Sequence, residues 1–268
     1  MALMWRPGRA SRGVLSLVAL VSVLGYVAVE QMPQQIRKKW YREKLQAARL
    51  MDAGMKAIRD HKLAIFGRLD TEHDPNGTGM VGSGLSPITS KEGSLAAKQT
   101  TANPNFAAVF VSWYRRAGLK EGDVVAMAFS GSFPSMNLAA LVAAEVLNLE
   151  PIPIVSLSAS RWGANIPQLT WLDMERLLFE KGIIHHRSVA ASLGGEQDRG
   201  GGLPPEGIRL LRQVIERNGV ELIDPPNLEA SWDIRMNIYR ENAGPRPISC
   251  FVNVGGGLGS VGTPLNKK

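Results

Sequence analysis

Hydrophobic and polar positions divide the chain into an apolar N-terminal run, one amphipathic helix and a long body of alternating elements. The apolar run covers residues 14–29 and follows Arg6, Arg9 and Arg12. Its length is at the short end for a membrane span and also fits the core of a signal peptide. The exit at residues 25–30 lacks the pair of small residues that signal cleavage needs, which favours an uncleaved single-span anchor.

A second helix is predicted after Pro33. Apolar residues recur there at steps of three and four, with one turn skipped, and therefore share one helical face as far as about Leu63. The residues on this face are Ile36, Trp40, Ala47, Met51, Met55 and Ile58. Such a helix fits a membrane-proximal stalk that binds partners, and it fits equally a helix packed on its own domain.

Beyond residue 105 the pattern alternates between helices and strands. The predicted helices are 106–117, 137–149, 170–181, 207–218 and 228–241. The predicted strands are 123–129, 152–157, 187–191, 221–224 and 248–254. Because strands such as 123–129 are apolar on both faces, the alternation indicates a parallel sheet that lies between helices.

These patterns together predict an α/β fold: an N-terminal transmembrane helix and an amphipathic helix, followed by one doubly wound, mostly parallel sheet domain. The predicted boundaries are 1–33 for the tail and single transmembrane anchor, 34–65 for the membrane-proximal amphipathic helix and 66–268 for the α/β domain.

The net charge of +7 is confined to the N-terminal segment. Residues 1–50 contain nine basic and two acidic residues, whereas the rest of the chain contains 22 of each. A neutral body is a poor surface for nucleic acid, so no nucleic-acid partner is expected. Cations flank the apolar run on both sides, but a short basic tail before a first span resembles a signal anchor. We therefore expect a single-pass protein of the cell membrane, with its main domain on the extracytoplasmic side.

Ligands of open parallel sheets bind outside the carboxyl ends of the strands. The predicted strands are followed by segments rich in serine and glycine at 130–135, 158–165, 192–202 and 255–260. Backbone N–H groups in such segments attract anions, although loops of this kind are rich in turn residues in any case. The candidate ligand-binding residues are Lys98, Thr100, Ser130, Gly131, Ser132, Asn137, Ser158, Ser160, Arg161, Asn165, Glu196, Asp198 and Arg199.

Nucleophilic catalysis is a second possibility, with Ser130 or Ser132 at a strand-to-helix turn as the nucleophile. The G-x-S-x-G pattern is absent, and His186 and Asp198 would complete a triad only if the fold brought them close. Lys98 is a further candidate base or anion ligand. Serines at this position are also typical helix caps, so the catalytic set stays open.

No cofactor and no metal bound by the protein is predicted. The G-x-G-x-x-G pattern at 257–262 needs a following helix, and only six residues remain after it. The same pattern at 77–82 has no preceding strand. The four histidines do not have the spacing of metal ligands. Cys250, the single cysteine, lies in an apolar strand and is expected to be a core residue.

Several segments resemble the poly-gamma-glutamate system protein family of bacteria, and the likeness covers about residues 1–262. The similar segments are 85–90, 97–108, 130–134, 160–165, 170–176 and 188–195. The family is associated with the synthesis or export of poly-gamma-glutamate, an anionic capsule polymer of the cell envelope. The resemblance implies a pathway, with membrane lipid and other synthesis or export components as partners, but no reaction and no catalytic residues.

Three functions are compatible with these observations. The first is a non-catalytic accessory protein that binds the polymer or a precursor, with Lys98, Arg161 and Arg199 contacting carboxylates and Arg187 as a substitute. The second is a serine-dependent hydrolase or gamma-glutamyl or acyl transferase. The third is a scaffold that recruits other components through the helix at 34–63.

Overall fold

The computed structural model describes residues 11–31 and 38–261. They divide into two units, one up to Lys39 and one from Trp40 onward. Helix α1 (Arg12–Gln31) belongs to the first unit and includes the whole predicted apolar run. Its 20 residues extend about 30 Å at about 1.5 Å per residue, which matches the hydrocarbon core of a bilayer. Helix α1 is therefore long and apolar enough to span a membrane, although a signal sequence can have the same properties.

Parts of the sequence predictions concern residues outside the described ranges. They include the N-terminal cations Arg6 and Arg9, the residues Pro33, Ile36 and Arg37 between the two predicted helices, and the end of the glycine motif at 257–262.

The second unit contains all the strands that the structure describes. Its first elements are α2 (Tyr41–Phe66), β1 (Thr89–Lys91), α3 (Leu95–Thr101), α4 (Asn105–Arg116), β2 (Val124–Ser130), α5 (Pro134–Val146) and β3 (Glu150–Ser156). They are followed by β4 (Ala159–Ser160), β5 (Asn165–Ile166), β6 (Leu169–Thr170), α6 (Trp171–Glu180), β7 (Ala190–Ser192) and α7 (Pro205–Arg217). The last are β8 (Glu221–Ile223), α8 (Leu228–Ala243), β9 (Ile248–Asn253) and α9 (Leu258–Val261).

Five strands form one parallel sheet in the order β8-β7-β3-β2-β9. The chain adds strands in one direction from β2 to β8 and then crosses to the other side of β2 to form β9. The strand order therefore reverses between β2 and β9, and such a switch point is where ligands of open α/β sheets bind. The predicted parallel α/β fold is confirmed.

The ten elements predicted for the body of the chain are all present, with ends that differ by up to three residues from those predicted. At the start of α6, the carboxylate of Asp173 accepts hydrogen bonds from the backbone N–H and the hydroxyl of Thr170. The elements that were not predicted are the short ones: β1, β4, β5, β6, α3 and α9.

Helices cover both faces of the sheet, but unequally. Side chains of α2, α4, α5, α6 and α7 pack on one face in a single large hydrophobic cluster, and nearly every residue of α5 is buried there. On the other face, Ile238, Tyr239 and Ala243 of α8 form a smaller cluster with the strands. The sheet is thus doubly wound, with α8 the only long helix of the second face in the described part of the chain.

Helix α2 packs on its own domain. Its predicted apolar positions Ala47, Met51, Met55 and Ile58 are buried, and they face α4, α5 and α6. Gly54 permits the close approach, since a Cβ atom there would lie 3.2 Å from side-chain carbons of two leucines. Of the two interpretations left open by the sequence, the packed helix is therefore the one observed.

Candidate functional site

A cavity of about 180 Å³, which we call the serine cavity, lies at the carboxyl edge of the sheet, next to the switch point. Segments that follow β2, β3, β7 and β9 line it together with β1 and the residue after it. The lining residues are Ser90, Lys91, Glu92, Ser130, Ser132, Phe133, Ser156, Ser158, Ser160, Gly195, Gly256, Gly257 and Leu258. The serine- and glycine-rich segments thus meet at one edge, as the sequence predicts.

The serine hydroxyls of this cavity differ in whether they form hydrogen bonds within the described fold. The Oγ of Ser130 accepts from the backbone N–H of Ser132 at 3.2 Å, and the Oγ of Ser132 accepts from the N–H of Ser160 at 3.0 Å. The side chains of Ser158 and Ser160 are 3% and 8% exposed. Among the described residues, no hydrogen bond engages the hydroxyl of either. Two nearly buried donors are therefore available to a ligand.

A buried ionic network lies against the cavity. The Oγ of Ser156 donates to Oδ1 of Asp198 at 3.0 Å, and Nη2 of Arg235 lies 2.8 Å from Oδ2 of the same carboxylate. The two charged side chains are 1% and 3% exposed, respectively. Ser192 and Ser231 donate further hydrogen bonds to Asp198. Since its oxygens are occupied by these partners, Asp198 holds the cavity wall in place.

Close packing against β2 requires a glycine in the loop after β9. Gly255 has a φ of +101°, and a Cβ atom there would lie 2.7 Å from the Cβ of Ser130. A side chain at this position would therefore be excluded by both backbone conformation and contact. Gly131 also lies against backbone, since its Cβ would meet the carbonyl oxygen of Leu157.

Helix α5 begins at the cavity. Its N-cap is Phe133, Pro134 occupies the first turn, and no side chain caps it. The prediction that Ser130 or Ser132 caps this helix is therefore wrong. The N-terminus of a helix of this length has a partial positive charge, which favours an anion in the adjacent cavity. Asn137 is fully buried and donates to the carbonyl of Ser130, so it supports the turn from within.

The two candidates on α3 have different environments. Lys98 is 4% exposed, and its Nζ lies 3.4 Å from the ring centroid of Phe133, which lines the cavity. Burial lowers the pKa of Lys98 to about 8. No hydrogen bond or ion pair of the described residues involves this ammonium group. Thr100 is exposed and does not line the cavity.

Four other candidate ligand-binding residues lie outside the lining of the cavity. Arg161 lies 3.3 Å from Glu92 at the rim. Arg199 is exposed and donates to the carbonyl of Pro226 at 2.8 Å, and Glu196 is exposed in the same loop. Asn165 is buried and binds the backbone of Ser83. None of these four side chains lines the cavity.

The proposed Ser–His–Asp combination is wrong. The Nδ1 of His186 lies 3.0 Å from Glu145, and its Nε2 lies 3.6 Å from Glu150, the first residue of β3. Ser156 is the last residue of the same strand, about 20 Å away at about 3.3 Å per residue. His186 is therefore at the amino edge of the sheet. Arg187 precedes β7 on that edge, so the suggested substitute cation is also remote from the cavity.

Several lining residues were not selected from the sequence. Ser156 ends a predicted strand, so the position of ligands at strand ends could have identified it. Ser90, Lys91 and Glu92 reach the cavity because β1 pairs in parallel with β4, and Lys91 is opposite Ser160. A three-residue strand that pairs with a two-residue strand leaves no periodic signal in the sequence.

One group of side chains in the described ranges could hold a metal ion: Asp70, Glu72 and His73. The ring of His73 stacks on Trp162 at 4.2 Å, and its Nδ1 lies 2.8 Å from Asp70. Both carboxylates are exposed. Such surface groups are common without an ion, and this one does not line the cavity.

A comparison of the chain with models of known protein families, with curated proteins and with solved structures found no match. The geometry of the cavity is therefore the structural basis for any conclusion about function.

Proposed function

We propose that this chain is a single-span membrane-anchored accessory protein of poly-gamma-glutamate synthesis or export. In this proposal the serine cavity binds a carboxylate of the polymer or of a precursor. The main domain lies on the extracytoplasmic side, and its partners are membrane lipid and other components of the pathway. The resemblance supports the pathway. The observation that supports binding is the pair of nearly buried hydroxyls of Ser158 and Ser160, which have no hydrogen-bond partner among the described residues.

The lining of the cavity suits a carboxylate. Hydroxyl groups donate to carboxylate oxygens, and hydrogen bonds to an ionised acceptor are stronger than those between neutral groups. The N-terminus of α5 adds a partial positive charge next to Phe133. Lys91 supplies a positive charge at the rim, where the carboxylate of Glu92 lies 3.3 Å from Arg161. These contributions act on the same small volume.

The size of the cavity favours a small group. Its 180 Å³ is less than the range of about 300–1,000 Å³ that is typical for sites of drug-sized ligands. A dinucleotide would not fit, whereas the side chain of one glutamyl unit is a suitable occupant. We therefore propose that the site holds one carboxylate-bearing unit at a time.

Binding is better supported than the two other functions. For catalysis, no hydrogen bond of the described residues joins Ser130 or Ser132 to His186 or Lys98, and both serine oxygens accept from backbone. For the scaffold, the apolar face of α2 is occupied by its own domain. A partner would have to bind the polar faces of that helix.

The double variant Ser158→Ala/Ser160→Ala tests the proposal. The full chain in detergent micelles is titrated with a synthetic gamma-glutamyl pentamer in a calorimeter. We expect the affinity to fall at least tenfold, because both donors are lost while no hydrogen bond within the described fold is broken. Ser112→Ala is the matched control, since its Oγ bonds to Ala108 within α4. Equal affinities for the double variant and the unaltered chain would refute the proposed site.

A further inference from the structure

The described part of the chain buries three cationic side chains: Lys62, Lys98 and Arg235. Two of them have partners within the fold. Arg235 lies 2.8 Å from Asp198, and Lys62 donates to a backbone carbonyl and is attracted by the carboxylate of Asp74. Lys98 differs from both, because no hydrogen bond or ion pair of the described residues involves its ammonium group. A buried charge without a counter-charge is destabilising, and such groups cluster at functional sites.

The ring of Phe133 connects Lys98 with the serine cavity. The Nζ of Lys98 lies 3.4 Å from the ring centroid, and Phe133 lines the cavity together with Ser130 and Ser132. A carboxylate oxygen in van der Waals contact with this ring would lie within about 8 Å of Nζ. That distance is about one Debye length at physiological ionic strength, and a buried charge is screened less than an exposed one. Lys98 therefore attracts an anion in the cavity without having to touch it.

The surroundings of Lys98 do not neutralise it. The face of the Phe133 ring attracts a cation through its quadrupole, but the ring has no net charge. Burial lowers the pKa of Lys98 to about 8, and no charge of the described residues contributes to the lowering. Helix α5, on which α3 packs, has one titratable side chain, Glu145, and it pairs with histidines at the amino edge.

Other titratable groups lie on the segments next to α3. The loop before β1 contacts α3 where Gln99 donates to the carbonyl of His73. The groups on this loop and at the cavity are Asp70, Glu72, His73 and Asp74, and Lys91 and Glu92. None of them forms an ion pair with Lys98, so an anion that enters the cavity has no competitor for its charge among the described residues.

We propose that Lys98 is the counter-charge of the anion in the serine cavity and that its protonation controls binding there. The ammonium form attracts the carboxylate through the ring of Phe133, while the hydroxyls of Ser158 and Ser160 donate hydrogen bonds to it. Loss of the proton removes the attraction, so binding weakens at alkaline pH. This inference rests on the carboxylate-binding function proposed for the cavity and adds its regulation by pH.

The direction of the pH dependence follows from linkage. A bound anion stabilises the ammonium form and raises the pKa of Lys98 above its value of about 8 in the free chain. The affinity is therefore highest below that pKa and falls as the pH rises through it. The ligand itself does not titrate in this range, since a glutamate carboxyl has an ordinary pKa of about 4.3.

Calorimetric titrations of the full chain in micelles with the gamma-glutamyl pentamer test the inference. We expect the affinity to fall about fivefold from pH 7 to pH 9, which corresponds to a rise of about one pKa unit on binding. Titrations at pH 8 in two buffers of different ionisation enthalpy should show the uptake of about half a proton per bound pentamer. Lys98→Arg keeps the charge and should bind equally at pH 7 and pH 9. Lys98→Met should bind at pH 7 about as weakly as the unaltered chain does at pH 9.

Lys56→Met is the control, since it removes an equal charge from an exposed ion pair with Asp52 and should match the unaltered chain at both pH values. Binding that depends on Ser158 and Ser160 but not on pH would overturn this inference and leave the proposed function intact. An equal fall of affinity in Lys98→Arg would assign the effect to another group and also overturn it. No binding at either pH would refute the proposed function and this inference together. If neither variant of Lys98 folds, proton uptake by the unaltered chain decides, and its absence counts against the inference.

Discussion

The two edges of the sheet contain similar residue types but use them differently. At the amino edge, His185, His186, Glu145 and Glu150 are partly exposed, and the two histidines pair with the two carboxylates. At the carboxyl edge, Asp198 and Arg235 are buried, and the hydroxyls of Ser158 and Ser160 in the adjoining cavity have no partner among the described residues. The comparison indicates that the amino edge contributes to stability, whereas the carboxyl edge holds hydroxyl donors that the described fold does not use.

Topology explains why the two edges differ. The carboxyl ends of parallel strands lead into the loops before the helices, and at the switch point those loops separate to leave a crevice. At the amino edge, the chain enters each strand from a helix, and short connections leave little open space. Ser156 and Glu150 belong to the same strand, yet only Ser156 lines the serine cavity.

The largest expected effect concerns the buried charge pair at the carboxyl edge. Asp198→Ala should lower the free energy of unfolding by about 3–5 kcal/mol, because it leaves Arg235 as an uncompensated buried charge. Denaturant titration of the full chain in micelles measures this loss. Asp224→Ala removes the ion pair with Arg212, in which the arginine and aspartate side chains are 45% and 42% exposed. This change should lower the free energy of unfolding by at most about 1 kcal/mol. Losses of equal size would contradict the contrast between buried and exposed charges.

An intermediate effect is expected at the amino edge, where it should depend on pH. Burial alone would raise the pKa of Glu145, but hydrogen bonds from His186 and His185 outweigh it and lower that pKa to about 2. The hydrogen bond to Glu145 raises the pKa of His186 above 6.5. Glu145→Gln should therefore lower the free energy of unfolding by about 1.5–3 kcal/mol near its maximum, the range for hydrogen bonds to charged groups.

The pH of that maximum follows from the directions of the two shifts. The stabilisation that ionised Glu145 adds to the free energy of unfolding is fully present above its ordinary pKa of 4.5. It is lost as the pH falls through its lowered pKa of about 2. The contribution of His186 is fully present below 6.5 and is lost as the pH rises through its raised pKa. The difference in the free energy of unfolding between the unaltered chain and Glu145→Gln should therefore be largest between pH 4.5 and pH 6.5. A difference that does not vary from acid to alkaline pH would argue against the pairing.

The smallest expected effect concerns the unpartnered hydroxyls. Ser158→Ala and Ser160→Ala should each change the free energy of unfolding by no more than about 0.5 kcal/mol, because no hydrogen bond of the described fold is lost. Ser192→Ala is the matched comparison, since its Oγ binds both Asp198 and Arg235 and its loss should cost about 1–3 kcal/mol. A large loss in Ser158→Ala would show that its hydroxyl serves the fold instead of a ligand.

Local pattern was sufficient for the order of the elements and for the edge at which a site forms. Helix and strand periodicity depends on neighbouring residues, so helices such as α5 and strands such as β2 could be identified from the amino-acid sequence alone. Since all strands of a parallel sheet end on the same edge, the serine and glycine segments after them had to meet. Four of the selected residues, Ser130, Ser132, Ser158 and Ser160, line the cavity.

Tertiary structure alone decided which side chains became partners. Arg235 and Asp198 are 37 positions apart, and they meet because α8 crosses the second face of the sheet to reach β9. The pairing of β1 with β4 brought Lys91 to the cavity, whereas His186 lies at the far edge because it precedes β7. Sequence spacing contains no information on these contacts, because they depend on the order of strands and on the face that each helix covers. The hydrophobic pattern therefore determined the elements and the edge, whereas packing determined which hydroxyls have no partner among the described residues.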